Sequence, residues 1–112
     1  MSSCIFCRII AKELPATVIH ETEEILVIKD INPKASIHYL IIPKMHIASI
    51  SELHPNNEEL AGKLLLTAKQ LGSTLQGPQA FRLIINNGSE AGQIVFHLHI
   101  HFLAGKQLPT EL

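Results

Sequence analysis

His97, His99 and His101 alternate with Leu98, Ile100 and Phe102 near the end of this 112-residue sequence. In an extended strand successive side chains point to opposite faces, so the three imidazoles share one face and the apolar residues take the other. At about 3.3 Å of rise per residue, neighbouring imidazoles stand about 6.6 Å apart and the outer two about 13 Å. One phosphate therefore cannot touch all three. The central His99 is the natural attacker, His101 can contact the reacting phosphate or its leaving group from one side, and His97 faces a different neighbourhood. A lone histidine on such a face is ordinarily a core residue satisfied by a carbonyl. Three in a row would need three desolvated and satisfied burials, so the row points to chemistry. A neutral imidazole is a good nucleophile near pH 7, and its phosphorus adduct is labile to water, which replaces one high barrier by two modest ones.

Two cysteines, Cys4 and Cys7, form a C-x-x-C pair. The start Met-Ser-Ser-Cys-Ile-Phe lacks the basic and apolar segments of a secretory leader, and no stretch approaches the roughly 20 apolar residues that span a bilayer. A cytoplasmic location with no membrane partner is expected, and there the thiols stay reduced. Their spacing then suggests a metal site or a redox pair ahead of a disulfide, and the Asn87-Gly88-Ser89 sequon carries no glycan. A net charge of -1 and a pI near 6.6 give no electrostatic basis for binding nucleic acid. With 46% hydrophobic against 17% charged residues, the chain can build a core without staples. No Pro/Gly/Ser-rich stretch divides it, so residues 1–112 read as one domain.

The elements that must hold the histidines can be read in outline. Residues 5–12 suggest a short amphipathic helix stopped by Pro15. The β-branched runs at 17–21 and 25–30 read as strands joined by a polar turn, and Asn32-Pro33 ends the second. Residues 38–42 form a third strand, closed by Pro43. A long helix starts after Pro55, with Asn56 and Glu59 as a capping box and Leu60, Leu64, Leu71 and Leu75 along one stripe. Gly77-Pro78 breaks it. Residues 80–86 and 96–103 give two further strands around a loop at 87–92. Strands without helical crossovers between every pair argue for an α+β fold: an antiparallel meander of about five strands, with one long and one short helix.

Gly92-Gln93, followed by Val95-Phe96-His97-Leu98-His99-Ile100-His101-Phe102-Leu103, resembles the signature of the histidine triad nucleotide-binding proteins. The resemblance runs through nearly the whole chain, from Phe6–Pro15 and Asp30-Ile31-Asn32-Pro33 to His38–Ile42, Pro43-Lys44-Met45-His46 and Asn86 with Gly88. It implies a homodimer whose antiparallel sheet continues across both copies. It also implies hydrolysis of purine nucleoside phosphoramidates or related adenylates through a nucleotidyl-histidine, without a catalytic metal.

By matching positions, the resemblance makes His99 the nucleophile and His101 a partner of the phosphate or leaving group, with His38 and the loop before the triad orienting His99. Asn86, Gln93 and the amides of Gly92, Ile94 and Val95 correspond to a phosphate cradle. Asp30, on one face with Ile28, corresponds to the acceptor for the ribose hydroxyls, and Ile5, Phe6, Ile9, Leu14, Ile28 and Ile31 fall at the base pocket. The two-cysteine start is similar to that of many bacterial members, which bind a structural Zn2+. The ligands here would be Cys4, Cys7, His46 and His97, a closed tetrahedral set.

Two departures bear on the leaving group. Ile94 stands where animal members carry serine, which leaves only its backbone amide near the phosphate. The segment 105–112 lacks the tryptophan that shapes the site in some relatives. Rival readings are a dinucleoside polyphosphate hydrolase, a nucleotidyl transferase, and a non-catalytic nucleotide-binding regulatory dimer. The transferase branch is disfavoured because His101 stands where it usually has glutamine. A hydrolase using the alternating histidines as catalytic metal ligands is also disfavoured.

Overall fold

The computed structural model describes residues 3–106 and Leu108. Seven elements make up the frame: α1 (Ile5–Ile10), β1 (Val18–Glu21), β2 (Ile25–Lys29), β3 (Ile37–Pro43), α2 (Glu58–Ser73), β4 (Phe81–Ile84) and β5 (Ile100–Ala104). Short 3-10 turns at Ile50–Glu52, Pro55–Asn57 and Ser89–Ala91 lie between them. The five strands form one antiparallel sheet in the order β1-β2-β3-β5-β4.

The expected α+β architecture is present, with a changed order at one side. The sheet is not a strict meander, because β5 inserts between β3 and β4 and pairs with both. Tyr39 lies opposite Phe102 on one flank and Leu83 opposite it on the other. That placement buries the apolar face of the triad strand at the middle of the sheet. Ile25 and Val27 of β2, Ile41 of β3, and Ile100 and Phe102 of β5 pack with Leu60, Leu64, Ala68 and Leu71 of α2. The opposite face carries Leu26, Ile28, Leu40 and Ile42 against Phe6 of α1. Period-two alternation in the strands therefore meets a 3.6-residue stripe on α2, and burial of these aliphatics supplies the main driving force.

Several boundaries differ from the sequence expectation, each for a local reason. Helix α1 ends before Pro15, because Lys12 takes a left-handed φ of 64° and Glu13 N–H bonds the Arg8 carbonyl, closing the helix. The capping box ahead of α2 is formed by His54 and Asn57 instead of Asn56 and Glu59. His54 Nδ1 accepts from Asn56 N–H, and Asn57 Oδ1 accepts from His54 N–H. Pro43 belongs to β3 and pairs with Ile25 instead of following the strand. Residues 97–99 precede β5, so regular ladder pairing covers only the end of the histidine row.

Candidate active site

Register places the side chains of His38 and Leu40 on β3, His101 and Leu103 on β5, and Arg82 and Ile84 on β4 along one face of the sheet. These residues and His99 floor a cavity of about 650 Å³. Ile5 and Phe6 of α1 form one wall. Asp30, Ile31, Asn32 and Lys34, beyond the end of β2, close one side, and Asn86, Gly92, Ile94 and Val95 close the other. Leu108 also reaches it; the other residues of the segment 107–112 lie outside those described, as do Met1 and Ser2. Two aliphatic residues at the mouth are almost fully exposed, Ile31 at 90% and Ile94 at 87%.

The hydrogen bonds fix the tautomers. His99 Nδ1 lies 2.7 Å from the His97 carbonyl, which can only accept, so Nδ1 carries the proton. Nε2 of His99 is left with its lone pair and no protein partner among the described residues. Lys34 N–H donates to His38 Nδ1 at 3.0 Å, which puts the His38 proton on Nε2. That Nε2–H donates to His101 Nδ1 at 2.9 Å, and the proton of neutral His101 is then on its own Nε2. Asp30 Oδ2 lies 3.4 Å from His38 Nε2, while Oδ1 accepts from Asn32 N–H at 2.7 Å. Burial, and then the neighbouring His99 and His38, push the His101 pKa down to about 4, with Asp30 opposing. Burial also lowers that of His38, again against Asp30. Both rings are neutral at physiological pH.

The structure therefore brings His99, His101, His38, Asp30, Ile31, Phe6, Ile5, Asn86, Gly92, Ile94 and Val95 to one cavity. His38 bonds His101 and not His99, whose orientation comes from its neighbour's backbone. Four residues assigned by resemblance to nucleotide contacts lie off the cavity wall. Ile28 is buried in the core under Phe6, and Ile9 packs against the same cluster. Leu14 is half-buried and does not line the cavity. Gln93 is buried and its amide is consumed by scaffolding: Oε1 accepts from Gly88 N–H, and Nε2 donates to the carbonyls of Ala48 and Val95. It braces the loop whose glycines, Gly88 and Gly92, hold φ of 91° and 94°. Sequence reasoning missed Asn32, Lys34, Leu40, Arg82, Ile84 and Leu103, most of which a strand register would have revealed.

On the α1 side of the triad, Cys4, Cys7, His46 and His97 converge, with one ligand atom from each within 4.8 Å of the others. His97 is fully buried. Its Nε2–H donates to the Pro43 carbonyl at 2.7 Å, which turns the Nδ1 lone pair toward Cys4 Sγ at 3.3 Å and His46 Nδ1 at 3.2 Å. Cys7 Sγ lies 3.3 Å from His46 Nδ1 and 3.6 Å from His97 Nδ1. A tetrahedral zinc with ordinary bond lengths spaces sulfur and nitrogen roughly 3.6 Å apart and two nitrogens about 3.3 Å apart. The donor set and its spacing fit such an ion, and the Pro43 carbonyl is the outer partner that ligating imidazoles usually have. The cysteines form no disulfide. These four residues are a potential metal site.

The family model for the HIT domain matches residues 11–108. This chain belongs to the HIT family. Among its relatives, an uncharacterised HIT-like protein of Synechocystis is 46% identical over 102 residues, covering 91% of this chain and 90% of that protein. HitA of Neisseria gonorrhoeae is 43% identical over 103 residues, covering 92% and 96%. The solved structure of a HIT family hydrolase from Clostridium thermocellum superposes with a TM-score of 0.93 at 42% identity, covering 100% of this chain and 98% of that one. A HIT family hydrolase from Legionella pneumophila gives 0.91 at 41%, covering 96% and 97%.

Proposed function

We propose that this HIT protein is a hydrolase of purine nucleotides that cleaves P–N or phosphoanhydride bonds through a nucleotidyl-His99 intermediate. One observation carries the reading: the His97 carbonyl holds the His99 proton on Nδ1 and leaves the Nε2 lone pair beside an open cavity. The relatives named as hydrolases support it.

In the first half-reaction His99 Nε2 attacks the α-phosphorus and the bond to the leaving nitrogen or oxygen breaks. An anionic phosphate beside His101 raises that ring's proton affinity, so His101 carries the proton that the leaving atom takes. In the second, water attacks phosphorus, its proton passes to His101, and the electrons of the P–Nε2 bond return to His99. Asn86 and the amides of Gly92, Ile94 and Val95 cradle the phosphate oxygens. Asp30 keeps lone pairs beyond its bond to Asn32 and accepts from the ribose hydroxyls, while Ile31, Ile5 and Phe6 cover the base. Ile94 presents an aliphatic side chain at the phosphate end.

The second site holds structural zinc on Cys4, Cys7, His46 and His97; there the ion supplies a fold clamp. The reading places the protein in the cytoplasm as a homodimer. The outer edge of β4, with Phe81 and Ile84 exposed, is a surface that a second copy can pair.

Rapid mixing with an adenosine phosphoramidate followed by intact mass spectrometry tests the chemistry. An adenylylated species is expected in the wild type and absent in His99→Ala. An adduct that persists in His99→Ala overturns the assignment.

A further inference from the structure

The potential metal site and the cavity are joined by two residues, Phe6 of the cavity wall and His97 of the cysteine cluster. Phe6 sits between Cys4 and Cys7 in sequence, is buried, and lines the cavity. Its ring meets His99 edge-on at 5.1 Å between centroids and His97 at 5.8 Å. His97 offers Nδ1 to the cysteine cluster while its carbonyl accepts the His99 Nδ1–H. The six-residue helix that carries Phe6 is too short to be stable alone. An ion held by all four donors would tie Cys4 and Cys7, which flank Phe6, to His97, whose carbonyl aims His99.

We propose that metal occupancy and nucleotide binding are thermodynamically coupled through Phe6 and the His97 carbonyl. The loaded cluster sets the cavity wall and the aim of the nucleophile. The nucleotide half of this inference rests on the function proposed above; the orientation of His99 does not. Coupling between two sites is reciprocal, so it can be read from either.

Binding of AMP is measured by calorimetry on the full chain, zinc-loaded and stripped under reducing conditions. A loaded form at least about fivefold tighter is expected, with zinc held more tightly by the same factor when AMP saturates. In cobalt-loaded protein, AMP should shift the visible absorption bands. Phe6→Leu, which keeps all four ligands, should bind the metal stoichiometrically and bring the coupling factor toward one.

Equal AMP affinities in loaded and stripped protein, both folded by circular dichroism, would overturn the proposal. So would cobalt bands that saturating AMP leaves unmoved. If the stripped chain unfolds, the cobalt spectra and the Phe6→Leu comparison decide. If loaded protein fails to bind AMP, the nucleotide reading fails instead. The coupling is then judged on the His99 imidazole 15N spectrum, which must differ between loaded and stripped protein.

Discussion

Replacing His38 with phenylalanine tests the tautomer chain at its least exposed link. The phenyl ring is somewhat larger than imidazole, so the 6%-exposed site stays filled, but two hydrogen bonds disappear. Lys34 N–H loses its acceptor at 3.0 Å and His101 Nδ1 its donor at 2.9 Å. Lys34 lies on an exposed turn and its amide can turn to water, so that loss belongs at the low end, about 1 kcal/mol. The His101 nitrogen lies in a half-buried setting, where an orphaned acceptor costs about 1–3 kcal/mol. Stability should fall by about 2 kcal/mol or somewhat more, measured from urea unfolding midpoints. With its ring no longer locked, His101 delivers the leaving-group proton from a fraction of its orientations. The kcat for an adenosine phosphoramidate should drop about 10- to 100-fold, the equivalent of 1.4–2.7 kcal/mol, while KM changes little because the nucleoside contacts are untouched. A kcat within twofold of wild type in a folded His38→Phe protein would refute the chain.

Three further outcomes follow from the geometry. Burial lowers the proton affinity of His101 to about 4, and His38 shifts in the same direction. The unfolded chain therefore binds these protons first: stability is full above a histidine's ordinary pKa of about 6.5 and is lost as pH falls toward 4. Urea midpoints should decline across that window, less steeply in His101→Gln, and a flat profile would contradict the burial argument. Cys4→Ser should lower zinc content well below one equivalent per chain by atomic emission and reduce thermal stability, because one of the four proposed ligands is lost; full retention of zinc would exclude Cys4 as a ligand. Gly105→Ala should destabilise by about 1–3 kcal/mol, since φ is 88° and a Cβ would meet Ser36 Cβ at 2.9 Å. Its thermal midpoint against that of wild type checks this.

Period-two alternation was enough to separate the faces of the triad strand. His99 and His101 line the cavity, while Leu98, Ile100 and Phe102 enter the core beneath α2. The C-x-x-C spacing alone left metal and redox readings open, and it is the convergence with His46 and His97, invisible in the spacing, that makes the pair part of a potential metal site. Strand order was hidden, because the pairing of Tyr39 with Phe102 joins residues far apart in sequence and leaves no local pattern. The cavity residues Leu40, Leu103, Arg82 and Ile84 were hidden with it, since their common face follows from register. Gln93 was misplaced for another reason: a polar residue in a glycine loop reads as a ligand contact, whereas here burial forces its amide to satisfy backbone groups. His54 as a helix cap went unread because serine, threonine, asparagine and aspartate dominate that position.

The insertion of β5 between β3 and β4 has a consequence for the order of folding. Until residues 100–104 are in place, β3 and β4 lack the strand that each pairs with, and each presents to the gap an open edge of amides and carbonyls. The strand that closes this gap also delivers His101 and follows directly on His99. A ribosome-bound or truncated chain lacking these residues thus lacks part of the floor of the cavity and is prone to self-association. Competence for chemistry and protection from aggregation arrive in the same folding step.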